Sequence, residues 1–140
     1  MRNNFNLKFS YGIGARNVLD TFKGSYTKDL IIDGTITVPF KLTDTELRHI
    51  RDKMLEIGFF DYPDSVGVDE SENGVEITPF ETYIFEVIYG EKEKKLHWEN
   101  SCIRGEPEVE KLYELITSIE EIIESKPEYT RLPEARGGYC

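Results

Sequence analysis

A glycine-rich turn follows the first alternation of apolar residues and carries a single cation. It reads Gly12-Ile13-Gly14-Ala15-Arg16. Phosphate-binding turns occur at such places, but position 17 is Asn, so the third glycine of a dinucleotide fingerprint is missing. The competing interpretation is a tight turn whose glycines supply positive φ. Arg16 then either meets an anionic ligand or forms a surface salt bridge.

An acidic loop further along has part of the pattern of a calcium-binding loop. In residues 69–74, oxygen-bearing side chains fall at positions 1, 3 and 5, and Gly74 at position 6. Position 12 must supply a bidentate carboxylate, yet it is Phe80, and Glu81 comes one residue late. We therefore expect a solvated acidic loop, with no bound metal and no other cofactor.

The two histidines, His49 and His97, are the conventional general bases of this chain near neutral pH. Neither lies in a nucleophile or triad motif, and carboxylates are too numerous for one pair to be singled out. His49 lies off the apolar stripe of a predicted helix, and His97 alternates with its neighbours on a predicted strand, so both should face solvent. We expect no catalytic residues and rank an enzyme last.

Aromatic side chains exceed what one face of a small sheet easily buries. Those concerned are Trp98, Tyr62, Tyr83, Tyr89 and Tyr129. Tyr and Trp often anchor interfaces, so one interpretation leaves some of them exposed for binding. The other interpretation is a core that simply uses aromatic residues.

The charge of the chain is uneven. The formal net charge is −10, with 18 acidic and 5 basic residues in 61–124 against 7 acidic and 9 basic in 1–60. Because nucleic-acid affinity depends on Lys and Arg, the acidic half argues against binding to nucleic acid. An acidic face can steer a basic partner or a cation, or can serve solubility alone.

The cysteines and the hydropathy bear on the compartment. Cys102 and Cys140 do not make a disulfide framework: they either pair in an exported protein or stay free in a reducing cytosol. No segment has the roughly 18 apolar residues of a membrane span. We expect a cytoplasmic chain as written, and an exported or lipid-anchored one if a signal has been removed.

Period-two alternation predicts the strands. Residues 5–11 place Phe5, Leu7, Phe9 and Tyr11 on one face, and 18–22 favour a short strand or loop. Residues 26–32 and 35–40 form a hairpin about an Asp-Gly turn, with Pro39 indicating a sheet edge. Residues 78–89 and 95–99 form a second hairpin.

Two helices complete the predicted fold. Thr43 and Glu46 make a capping box before a stripe that ends at Gly58. A second stripe begins near Pro107 and ends at Lys126-Pro127. We predict one α+β domain over residues 1–126, with two helices on one face of an antiparallel sheet of four to five strands. The order is βββ-α-ββ-α, and residues 127–140 form an irregular tail.

The order of these signals resembles small bacterial domains of the emfourin type and related uncharacterised bacterial families. The residues that carry it are the turn from Phe9 to Arg16, Phe59-Phe60, Tyr83, His97-Trp98, Leu112 and Ile116. Emfourins are proteinaceous inhibitors of thermolysin-like metallopeptidases, so the resemblance implies an inhibitor. The chain departs from the pattern in its Gly-Ile-Gly-Ala turn, its longer residues 17–41 and its additional tail.

We expect a non-enzymatic protein-binding module, for which inhibition of a partner enzyme is one role. The candidate binding residues are Gly12, Ile13, Gly14, Arg16 and Trp98. The alternative is a small-ligand binding or sequestering protein, with Arg16 and aromatics such as Trp98 lining a pocket. The sequence leaves the identity of the partner and the oligomeric state open.

Overall fold

A computed structural model describes residues 5–66, 81–99 and 107–137. These residues form seven strands, which are β1 (Phe5–Tyr11), β2 (Asn17–Asp20), β3 (Ser25–Asp29), β4 (Thr35–Pro39), β5 (Ser65–Val66), β6 (Thr82–Tyr89) and β7 (Lys92–Glu99). The helices are α1 (Asp44–Ile57), α2 (Pro107–Glu124) and the short α3 (Pro127–Thr130), with one 3₁₀ turn at Phe59–Asp61. The predicted α+β class is therefore confirmed.

The described strands form one sheet in the order β4-β3-β2-β1-β6-β7-β5. Six of them are antiparallel to their neighbours, and β5 runs parallel to β7. The antiparallel sheet was predicted, but four to five strands was too few. A two-residue strand such as β5 shows no periodicity of its own, because it is defined only by its pairing with β7.

The core lies between one face of this sheet and the helices. Phe9 of β1 faces Leu19 of β2 and Phe85 of β6, and all three are buried. The stripes of α1 and α2 belong to the same apolar cluster, which includes Ile50 and Ile116. The alternation in β1 was therefore interpreted correctly: Phe5, Leu7, Phe9 and Tyr11 all face the core.

Helix α1 begins and ends as its sequence predicts. The Glu46 N–H donates to Thr43 Oγ1 over 3.1 Å and the Thr43 N–H donates to Glu46 Oε1 over 2.9 Å, which completes the capping box. The helix ends at Gly58, whose φ of 74° is the left-handed conformation that glycine adopts without strain. Lys126, beyond α2, also binds Glu46 Oε1 over 2.9 Å and links the two helices.

The first predicted hairpin is correct in its partners but not in its turn. β3 ends at Asp29, so residues 30–34 form a longer connection than Asp-Gly alone. Ile31 has a φ of 66°, which bends the chain, and its N–H donates to Asp29 Oδ1 over 3.0 Å. Asp33 is held by two hydrogen bonds from Arg136, of 2.9 and 3.0 Å, so a distant segment shapes this turn.

Residues 127–137, predicted to be irregular, begin with the helical turn α3. Tyr129 and Leu132 pack against the core, and Arg136 pairs with Ile31 in a parallel bridge. None of the described helices is both long and apolar enough to cross a lipid bilayer.

Candidate functional site

The predicted glycine-rich turn is a tight connection between β1 and β2. Tyr11 and Asn17 pair at its base, and Gly12, Gly14 and Ala15 have φ values of 95°, 73° and 56°. The interpretation that its glycines supply positive φ is therefore confirmed. A Cβ on Gly12 would lie 2.5 Å from Asn17 Nδ2, so the Asn17 side chain, which donates to the Tyr11 carbonyl, would have to shift in addition to the strain at positive φ.

Hydrogen bonds hold this turn from its inner side. The Gly12 carbonyl accepts from the N–H groups of Ala15 and Thr82, each over 3.0 Å. Ile13 forms an antiparallel bridge with Glu81, just before β6. The backbone of the turn is thus tied to a second strand and has little freedom to move.

The outer side of the turn is accessible. Gly14 and Arg16 are exposed, and Ile13 is half-buried. Among the described residues, no carboxylate forms an ion pair with Arg16. The turn therefore presents a cation and bare backbone on a rigid support.

Tyr83 is the second residue of β6 and follows Thr82, which bonds to the turn. Its buried hydroxyl donates a short hydrogen bond to the carboxylate of Glu81, which is itself exposed. Burial raises the pKa of Tyr83, and the neighbouring negative charge of Glu81 raises it further. The hydroxyl therefore stays protonated and acts as a donor.

Two further tyrosines, Tyr11 and Tyr26, form a pair in the interior. The hydroxyls of Tyr11 and Tyr26 are 2.5 Å apart, and both side chains are buried. Burial is the main cause that raises the pKa of each. Tyr129 packs edge-on against Tyr26, with ring centroids 5.8 Å apart.

Glu120 of α2 lies close enough to these tyrosines for its charge to raise their pKa values. Its carboxyl is partly buried, and this burial, followed by the charges of Glu81 and Glu124, raises its pKa to about 7. The described structure places no cation beside it. We call Tyr11, Tyr26, Tyr83, Tyr129, Glu81, Glu120 and Glu124 the tyrosine–carboxylate cluster.

Trp98, the fifth predicted binding residue, belongs to the core. It is 1% exposed and stacks on Tyr83 with ring centroids 5.0 Å apart. Its Nε1 has no hydrogen-bond partner among the described residues. Trp98 therefore reaches the turn only through Tyr83 and Glu81, and it does not line an accessible surface.

Of the two interpretations of the surplus aromatics, the structure supports a core that simply uses them. Tyr62 and Tyr83 are buried like Trp98, while Tyr89 and Tyr129 are half-buried against the core. Their rings are accommodated because α2, α3 and the 3₁₀ turn supply further packing surface over the sheet.

Both histidines lie away from this cluster. His49 is exposed on α1. His97 has a side chain 40% exposed, and its Nε2 lies 3.3 Å from Glu99 Oε2, within ion-pair distance but without hydrogen-bond geometry. The predicted solvent-facing position is confirmed for His49, whereas His97 is half-exposed and its Nε2 is buried.

Two predictions fall on other parts of the chain. The acidic loop 69–74 and the two cysteines, Cys102 and Cys140, lie outside the described residues. Within residues 5–66, 81–99 and 107–137, no three His, Cys, Asp or Glu side chains are grouped so as to hold a metal ion.

The sequence interpretation missed Glu120, since the carboxylates seemed too numerous to distinguish. A signal was present nevertheless. Glu120 follows Ile116 by four positions and precedes Ile123 by three, so helical periodicity places it beside the apolar stripe of α2.

Comparison with models of known protein families gave no match, and comparison with curated proteins gave no significant relative. The site must therefore be interpreted from its chemistry. It combines a rigid turn carrying Arg16, an exposed carboxylate at Glu81, and a carboxyl at Glu120 that exchanges its proton near neutral pH.

Proposed function

We propose that this protein is a non-enzymatic protein-binding module whose contact surface is centred on the turn Gly12–Arg16. The observation that carries the proposal is the contrast between the two sides of the turn. Its inner side is hydrogen-bonded to Thr82 and bridged to Glu81, whereas its outer side exposes Gly14 and Arg16. A loop already held in one conformation loses little entropy on binding.

The charges of the turn indicate the chemistry of the partner. Arg16 suits a carboxylate or a C-terminus, because its guanidinium can bind both carboxylate oxygens at once. Glu81, exposed next to the turn, suits a Lys or Arg of the same partner. The partner surface is therefore expected to carry both signs of charge, with its basic groups facing acidic residues of the segment 61–124.

The resemblance to emfourin-type domains supports an inhibitory role and names a partner class to test. A rigid, glycine-containing turn is also a shape that enters an enzyme cleft. The first enzyme to assay is therefore a thermolysin-like metallopeptidase from the same host. If peptide hydrolysis is unaffected by excess protein, this partner class is excluded while binding to another protein remains to be measured.

A pull-down tests the module itself. The purified chain is exposed to lysate and secreted fractions of its host, and retained proteins are identified by mass spectrometry. We expect one dominant protein, lost on R16E. The matched control is Arg48→Glu, which reverses an exposed arginine on α1 that likewise has no described ion pair. Equal retention by both variants would contradict a contact surface at the turn.

One observation favours the alternative, a small-ligand binding protein. The buried Nε1 of Trp98 lacks a described acceptor, and buried donors normally have one. A ligand acceptor could fill that role, although the burial of Trp98 requires the ligand to enter the core. A metabolite screen for a rise in melting temperature tests this, with Trp98→Phe as the variant that should lose the response.

A further inference from the structure

The two edges of the sheet are protected to different degrees. β5 has two residues, and β7 beside it carries five Lys or Glu in eight residues. Shortness and charge are the usual means by which an edge avoids pairing with another strand. β4, at the other edge, has five residues, Thr-Ile-Thr-Val-Pro, and no charge. Among the described elements it pairs only with β3.

Hydrogen bonds at both ends of the β3–β4 pair show which residues of β4 bond inward. The Leu30 N–H donates to the Gly34 carbonyl over 2.7 Å. The Phe40 N–H donates to the Gly24 carbonyl over 2.8 Å. Bonded and non-bonded pairs alternate in an antiparallel ladder, so the even-numbered residues between these ends bond to β3.

The odd-numbered residues of β4 consequently turn their backbone groups outward. Thr35 and Thr37 each present an N–H and a carbonyl to the open edge, while Pro39 presents a carbonyl alone. The position of Pro39 agrees with this alternation of inward and outward backbone groups, since proline is tolerated where no ladder donor is needed. The sequence prediction that Pro39 lies at a sheet edge is confirmed.

We propose that β4 pairs antiparallel with β4 of a second copy of this chain, about a two-fold axis at Thr37. The two Thr37 residues then exchange N–H···O=C bonds with each other. Each Thr35 N–H donates to the Pro39 carbonyl of the other copy. The two sheets become one continuous sheet across the axis. This proposal is independent of the partner-binding turn.

The sequence of β4 suits this self-pairing better than pairing with an arbitrary strand. The missing donor of Pro39 falls opposite the Thr35 carbonyl, at the outer end of the seam where water replaces it. On the core side, Ile36 faces Val38 of the second copy. Both are half-buried in one chain, so the pairing covers apolar surface that is still accessible.

The charges that flank β4 are complementary in the same arrangement. Asp33 precedes the strand and Lys41 follows it, and both are exposed. Antiparallel pairing brings the Asp33 end of one copy to the Lys41 end of the other, twice. Asp33 already accepts hydrogen bonds from Arg136, but a carboxylate has lone pairs for a further donor.

Sedimentation velocity on the full chain over a range of concentrations tests the proposal. Wild type should show a reversible dimer. Thr37→Pro removes an outward donor without touching the backbone bonds to β3, although it loses the side-chain hydrogen bond to Thr27, and should weaken association by roughly tenfold or more. Thr37→Lys places a charge at the axis and should also weaken association. It replaces the proline variant if that variant folds poorly. Thr37→Val keeps the backbone groups, loses only the side-chain contact with Thr27, and should still dimerise.

Circular dichroism confirms the fold of each variant before association is compared. A wild-type chain that stays monomeric at all concentrations would overturn the proposal. So would a dimer unchanged by both Thr37→Pro and Thr37→Lys, because it would use another surface. A monomer whose β4 edge instead binds an extended peptide would assign this edge to a different partner and reject the second copy.

Discussion

Two parts of the interior are stabilised by different interactions. Phe85 packs against apolar rings, with the centroids of Phe9 and Phe59 lying 4.7 and 5.1 Å from its own. The tyrosine–carboxylate cluster instead buries hydroxyls and a carboxyl under α2. The first region gains its stability from packing alone, whereas the second depends on hydrogen bonds and on protonation.

The largest effect is expected in the apolar region. Phe85→Ala removes a fully buried ring at the centre of the sheet and should lower the free energy of unfolding by about 3–5 kcal/mol. The loss should be the same in acid and in neutral solution, because the rings that pack against Phe85, those of Phe9 and Phe59, do not titrate. Urea denaturation at several pH values measures it, and Phe85→Leu should lose less. A loss that changes with pH would remove the distinction between the two regions.

The tyrosine pair should show coupling that the apolar region lacks. Tyr11→Phe or Tyr26→Phe leaves one buried hydroxyl without its partner, which costs about 1–3 kcal/mol. The double variant removes both hydroxyls and should cost less than the sum of the single changes. A double-mutant cycle from urea denaturation measures this. Additive losses would show that the 2.5 Å contact contributes nothing of its own.

Glu120 should make stability depend on pH. Its pKa in the folded chain is about 7, raised from 4.5, so the native state holds the proton more tightly than the unfolded state. The contribution is fully present below pH 4.5 and is lost as pH rises through about 7. Glu120→Gln should therefore be more stable than wild type above neutrality, by roughly 1 kcal/mol after allowance for solvent screening.

The control for this last effect is a neighbour on the same helix. Glu121→Gln removes an exposed carboxylate and should leave the pH dependence of wild type intact. Thermal melting of wild type and both variants between about pH 5 and 8 gives the comparison. If wild type and Glu120→Gln lose stability in parallel, Glu120 is not the group that titrates.

Much of the architecture followed from local patterns. The capping box at Thr43, the left-handed Gly58 and the apolar stripe of α2 all act within a few residues of one another, so periodicity and residue type were enough to predict them. The alternation of β1 predicted its buried face for the same reason. Among the candidate residues, the positive φ of Gly12 and Gly14 and the exposure of Arg16 also followed from the sequence.

Other features depended on contacts between residues far apart in the chain. The turn after β3 is shaped by Arg136, and β5 exists only through its pairing with β7. Trp98 looked available for binding, yet Tyr83 and Tyr113 enclose it. No pattern near these positions reports such neighbours, because each neighbour is supplied by another element.

The sequence by itself determined the longer helices and strands and which of their faces turn inward, since hydrophobic periodicity and capping are local properties. Only the tertiary structure decided that Glu120 shares an environment with Glu81, Tyr11 and Tyr26. A pKa reflects every charge and every desolvating group around a carboxyl, and these come from β1, β3, α2 and the residue before β6. These groups come together because of the order of the strands in the sheet. No single segment of the chain contains that order.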